Sequence, residues 1–98
     1  MNRWSCFSNY GLVLLAIGEG GEVRIRDLAE QVGLTERAVQ RIVTELCEAK
    51  LLVRRREGRR NFYTVCRRKR LNHPLVSHHT VGDLVDALEP RRIQRGAA

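Results

Sequence analysis

Arg54, Arg55, Arg56, Arg59, Arg60, Arg67, Arg68, Lys69 and Arg70 crowd one segment of the chain, with Glu57 the single acid among them. Guanidinium groups at this density suit polyanions, because each presents a fixed fork of donors that matches phosphate oxygens or the acceptor edge of a base. An ordinary solvated face mixes the two signs of charge. A second set of groups able to pair with bases lies upstream: Arg37, Gln40, Arg41 and Thr44 recur at i, i+3, i+4 and i+7, the spacing of one helix face. The whole chain carries 18 Lys and Arg against 11 Asp and Glu, a net charge of +7. That balance points to a polyanionic partner or to solubility, and says nothing about fold.

Other chemistry is weakly supported. Cys66, His73, His78 and His79 hold metal-capable atoms, but C-x6-H-x4-HH is not a recognised ligand spacing, so neither metal nor cofactor is expected. The histidines are also candidates for titration near neutral pH. No Ser/His/Asp arrangement, catalytic carboxylate pair or phosphate-binding glycine loop stands out, and the reading is not an enzyme. Cys6, Cys47 and Cys66 lack CxxC spacing and follow no secretory signal, which predicts free thiols in the cytoplasm. The longest apolar run, LVLLAI, is too short to span a bilayer. Trp4, Phe7 and Tyr10 sit near helical spacing and read as core or dimer contacts ahead of a small-molecule pocket.

The elements that position these groups follow from periodicity and punctuation. At 98 residues with 43% hydrophobic content the chain is one domain, residues 1–90, followed by a basic flexible tail, RRIQRGAA, at 91–98. Ser8 can cap a mostly apolar helix through NYGLVLLAIG, with Val13, Leu14 and Ile17 at helical spacing, ended by Gly18, Gly20 and Gly21. GEV leads into a helix over about 26–32 with Leu28, Ala29 and Val32 inward, and Gly33 supplies a turn. Thr35 caps the next helix, in which Val39, Ile42, Val43 and Leu46 form an apolar stripe opposite the polar one. LLVRRR and NFYTV predict a hairpin turning through EGRR, with Tyr63 and Val65 on one face and Phe62 and Thr64 on the other. A last short helix, TVGDLVDAL, opens on Thr80 and Asp83 at capping-box-like spacing and stops at Pro90.

Helix, helix, short turn, helix and basic hairpin is the order of a winged helix-turn-helix: mainly α with a small β-hairpin, a three-helix core, a wing and a short C-terminal helix. Ala29 supplies the small residue where two helices cross, and Gly33 turns the chain four residues later. In this geometry the second helix of the pair enters the major groove of double-stranded DNA. Arg37 and Arg41 suit guanine, Gln40 suits adenine, and Thr44 completes the stripe. Thr35 and the free N–H groups at the helix start suit a phosphate, while Glu36 can accept from cytosine or merely cap. Arg54, Arg56, Arg59, Arg60 and Asn61 on the hairpin would meet the backbone or enter the minor groove. The plainer readings are a solvated helix face and a hairpin whose charges only discourage edge pairing.

Several segments, Trp4…SNYGLVLL, VRIRDLAEQVGLTERAVQRIVTEL, GRRNFYTV and NHPL…HHTVGDLVDAL, together resemble small winged-helix transcriptional regulators of the MarR/ArsR-like group over about residues 4–88. The resemblance implies sequence-specific DNA binding, usually as a homodimer whose contact is made by helices other than the reader. Metal-sensing ArsR relatives carry a pattern like ELCVCDLA where this chain has EVRIRDLA; Arg24 and Arg26 replace the cysteines, so that sensing site is absent. Nothing in the sequence identifies an effector. Two other uses remain open: a protein-interaction module whose basic hairpin docks on an acidic partner, and an RNA-binding domain in which Phe62 stacks on an unpaired base.

Overall fold

The computed structural model describes residues 5–18 and 20–88. Trp4, Pro90 and the basic segment 91–98 lie outside the described residues. Four helices and a three-stranded antiparallel sheet make up the described residues, in the order α1 (Asn9–Ile17), β1 (Gly21–Glu22), α2 (Ile25–Val32), α3 (Glu36–Glu48), β2 (Leu52–Glu57), β3 (Arg60–Val65) and α4 (Val81–Leu88). Mainly helical with a hairpin, this is a winged helix.

α1 is almost wholly apolar because it is covered on several sides. It packs against α2, α3 and β3, and Val13, Leu14, Leu15 and Ile17 are all buried. The Ser8 hydroxyl accepts from the Gly11 N–H at 3.2 Å, satisfying one of the donors that a helix start leaves open. Leu28 and Ala29 carry α2 into the same core, with Val32 half-buried. The helix closes at Gly33, whose N–H and that of Leu34 both donate to the Ala29 carbonyl, at 2.9 and 3.0 Å.

On α3 every residue of the apolar stripe is buried: Val39, Ile42, Val43 and Leu46. The helix ends in a Schellman motif, with Leu51 N–H bonded to the Leu46 carbonyl and Lys50 N–H to that of Cys47, each at 3.0 Å. The left-handed position of this motif, usually glycine, is filled by Lys50 at φ 69°. Cys47 lies at the edge of the core, where burial raises its thiol above the ordinary value.

The sheet is larger than a hairpin. Its order is β1-β3-β2, and β1 pairs Gly21 with Tyr63 and Glu22 with Phe62. GEV is therefore not a plain connection into α2. Gly20, at φ 93°, admits this third strand: a Cβ there would stand 2.3 Å from the Tyr63 carbonyl oxygen. The β2–β3 strands extend to Glu57 and Arg60, so the turn is the two residues Gly58 and Arg59 rather than all of EGRR. Gly58 alone of the pair has positive φ, as a type II′ turn requires.

α4 docks by its N-terminus. The Val81 and Gly82 N–H groups donate to the carbonyls of Lys69 and Arg67, at 2.8 and 2.9 Å. Thr80 and Asp83 complete a reciprocal capping box, at 3.0 and 3.1 Å. Val81 and Val85 are buried, Leu84 is half-buried and Leu88 is exposed. No helix among the described residues is long and apolar enough to cross a membrane.

Candidate nucleic-acid interface

Burying one stripe of α3 turns the opposite stripe outward, a direct result of the 3.6-residue period. Arg37, Gln40, Arg41 and Thr44 are all exposed, and all four line one groove of about 460 Å³. Arg54 and Asn61 of the sheet line it too, with Ile25, Val43, Glu45 and Tyr63. The fold therefore brings together the four helix residues and two of the hairpin residues expected from sequence. Thr35 and Glu36 stand exposed at the start of α3. The Thr35 hydroxyl accepts from the Ala38 N–H at 3.1 Å, which leaves its own proton to donate outward.

Strand pleating sorts the arginines of the wing by face. Leu52, Arg54 and Arg56 lie opposite Val65, Tyr63 and Asn61 in register. Leu52, Tyr63 and Val65 are buried, so this face looks into the core and its polar end opens beside α3. Arg56 Nε donates to the Gly58 carbonyl at 3.1 Å, bracing the turn that carries Arg59 at its apex. Val53, Arg55, Glu57, Arg60, Phe62 and Thr64 occupy the other face. There Arg55 lies over the Phe62 ring, 4.7 Å from its centroid, and pairs with Glu57. Arg60 Nε lies 3.8 Å from a carboxylate oxygen of Glu22 on β1. Arg60 thus stands on the side of the wing opposite Arg54, tied to the third strand.

Two features of the groove were missed from sequence. Glu45 sits on the same wall as Arg41, with its Oε2 3.7 Å from Arg41 Nε, and its i+4 spacing was the available signal. Its other oxygen accepts from the Tyr10 hydroxyl at 2.9 Å, a contact across 35 residues that no local pattern announces. That hydrogen bond is the first cause of a raised Tyr10 phenol, with burial next.

The histidines are engaged locally. His73 Nδ1 accepts from the Leu75 N–H at 3.1 Å, and His79 Nδ1 lies 3.1 Å from Asp83 Oδ2. Among the described residues no three His, Cys, Asp or Glu side chains gather as a metal would require.

A helix-turn-helix whose second helix presents a polar stripe beside a basic antiparallel wing defines the class of protein: a winged helix-turn-helix. The model of the MarR family matches residues 9–60, from the first turn of α1 through the turn of the wing. The match spans more than half of the chain, and the chain belongs to the MarR family. This is a family of winged-helix transcription regulators, not of enzymes, and its members bind DNA, generally as dimers. Neither the comparison with curated proteins nor that with solved structures found a match.

Proposed function

We propose that this chain is a sequence-specific double-stranded DNA-binding transcription regulator that acts in the cytoplasm as a homodimer. The observation that carries the reading is the shared groove, in which base-reading candidates from α3 and Arg54 and Asn61 of the wing face the same space. Arg37, Gln40, Arg41 and Thr44 read base edges in the major groove, with Glu36 at its rim, and Thr35 and the α3 N-terminus hold a phosphate. Arg54, Arg56, Arg59 and Asn61 follow the backbone or the adjacent minor groove, and Arg60 contributes from the outer face.

Residues 1–90 form the DNA-binding unit, with its terminal segments supplying the dimer contact. Support for this comes from exposed apolar side chains at both ends of the described chain: Phe7 and Leu88 are 37% and 43% exposed. Phe62 argues against the RNA reading, because a ring half-buried beneath a guanidinium is not offered to an unpaired base.

Selection from random duplex DNA at near-physiological salt tests the proposal. The expected product is an inverted repeat with half-sites about one helical turn apart. Retention of DNA with no enriched sequence would overturn base reading by α3.

A further inference from the structure

Glu45 divides its two carboxylate oxygens between two elements. Oε1 accepts from the Tyr10 hydroxyl of α1 at 2.9 Å, while Oε2 faces Arg41 Nε one turn back on α3 at 3.7 Å. Arg41 and Glu45 line the groove beside the wing, whereas Tyr10 lines a separate cavity on the other side of Glu45. We infer that Tyr10 and Glu45 are positioning residues for Arg41, the phenol holding the carboxylate and the carboxylate holding the guanidinium. The inference rests on the reading of Arg41 as a base contact.

An exposed ion pair on a helix is ordinarily worth little, because both long side chains must be ordered to form it. Arg41 and Glu45 are 75% and 44% exposed, and the contact between them is electrostatic, too long for a hydrogen bond. What distinguishes this pair is that one member is already held. The phenol donates to a charged acceptor, the stronger kind of hydrogen bond, so less rotamer freedom remains to be lost when Arg41 joins. Engaging Arg41 through Nε leaves both terminal nitrogens of its fork for the O6 and N7 of a guanine. A carboxylate in a groove built for DNA also repels phosphate on every sequence alike. Its contribution therefore lies in discrimination, not in affinity.

The test compares wild type, Tyr10→Phe, Arg41→Ala and the double variant. Each is titrated by fluorescence anisotropy against the enriched duplex and a scrambled one, and the readout is the ratio of the two affinities. Arg41→Ala is expected to lower the ratio on the order of 10-fold. Tyr10→Phe, which removes one oxygen outside the groove, is expected to lower it about 3-fold, with scrambled-DNA binding and its salt slope as in wild type. In the Arg41→Ala background Tyr10→Phe should change nothing further. Glu45→Gln serves as a second probe if Tyr10→Phe does not fold: it keeps an acceptor for the phenol, and should tighten scrambled-DNA binding while lowering the ratio.

An unchanged ratio in Tyr10→Phe, or in Glu45→Gln where that probe is used, beside a lowered one in Arg41→Ala, overturns the positioning role and leaves base reading intact. Equal losses from Tyr10→Phe with and without Arg41 also overturn it, since Tyr10 would then act by another route. An Arg41→Ala protein with the wild-type ratio, or a selection with no enriched site, overturns both readings.

Discussion

Arg54 and Arg55 are neighbours in sequence, yet Arg54 lines the groove beside α3 while Arg55 lies on the opposite face of the wing, its guanidinium carbon 4.7 Å from the centre of Phe62. Their substitutions should therefore part ways. Arg54→Ala is expected to weaken binding to every duplex and to reduce the slope of log K against log salt by about 1, the signature of one lost phosphate contact. Arg55→Ala should leave that slope near wild type, its effect confined to a looser wing. Titrations at several salt concentrations decide; equal slope changes for the two variants would contradict the division by face.

That division shows where the sequence stops being readable. The α2–turn–α3 unit was legible because helix periodicity is local: Val39, Ile42, Val43 and Leu46 name the buried face, and the polar stripe follows by exclusion. Strand β1 was not legible, since two residues carry no period and the partners, Tyr63 and Phe62, come forty residues later. The face of Arg60 was lost with the turn. Reading all of EGRR as turn leaves the parity of Arg60 open, whereas a turn of Gly58 and Arg59 puts it opposite Glu57 and on the side of Phe62. Glu45 was half legible, its relation to Arg41 being a matter of spacing and its relation to Tyr10 a product of packing α1 against α3.

Gly20 is the residue on which the third strand depends. A methyl group there would meet the Tyr63 carbonyl oxygen at 2.3 Å, with backbone atoms as the obstacle and φ already at 93°. Gly20→Ala is expected to cost about 2–3 kcal/mol, read as a lowered urea midpoint with an unchanged m-value. Gly21, which has open space around it, serves as the control for positive φ without a clash. A Gly20→Ala loss no larger than that of Gly21→Ala would show that β1 does not need this close approach.

Lys50 offers the opposite case, a position where the natural residue is not the most stable one. Its φ of 69° is the left-handed conformation in which a Cβ is crowded, and glycine normally ends this motif. Lys50→Gly removes that strain but adds backbone entropy to the unfolded chain, so the net gain is about 0.5–1 kcal/mol. A rise in Tm of about 2–8 °C is expected for a domain of this size. A fall in Tm would mean that the lysine side chain contributes more than its backbone conformation costs.

The capping box of α4 predicts a pH dependence whose sign is fixed. The Thr80 N–H bond, and after it His79, hold the Asp83 carboxyl below its ordinary value. A carboxylate depressed in the folded state binds fewer protons there than in the unfolded chain. Its contribution is complete above the ordinary value, about pH 4, and is lost as pH falls through the lower folded value. Asp83→Asn should therefore be less stable than wild type near neutrality, with the gap narrowing as pH drops below about 4. Thr80→Ala, which removes the reciprocal bond to the Asp83 N–H, should cost about 1 kcal/mol at neutral pH. Urea denaturation of the three proteins from neutral pH to the acid limb gives the comparison. An Asp83→Asn deficit that stayed constant across the acid range would show that the carboxylate charge is not what holds the start of α4.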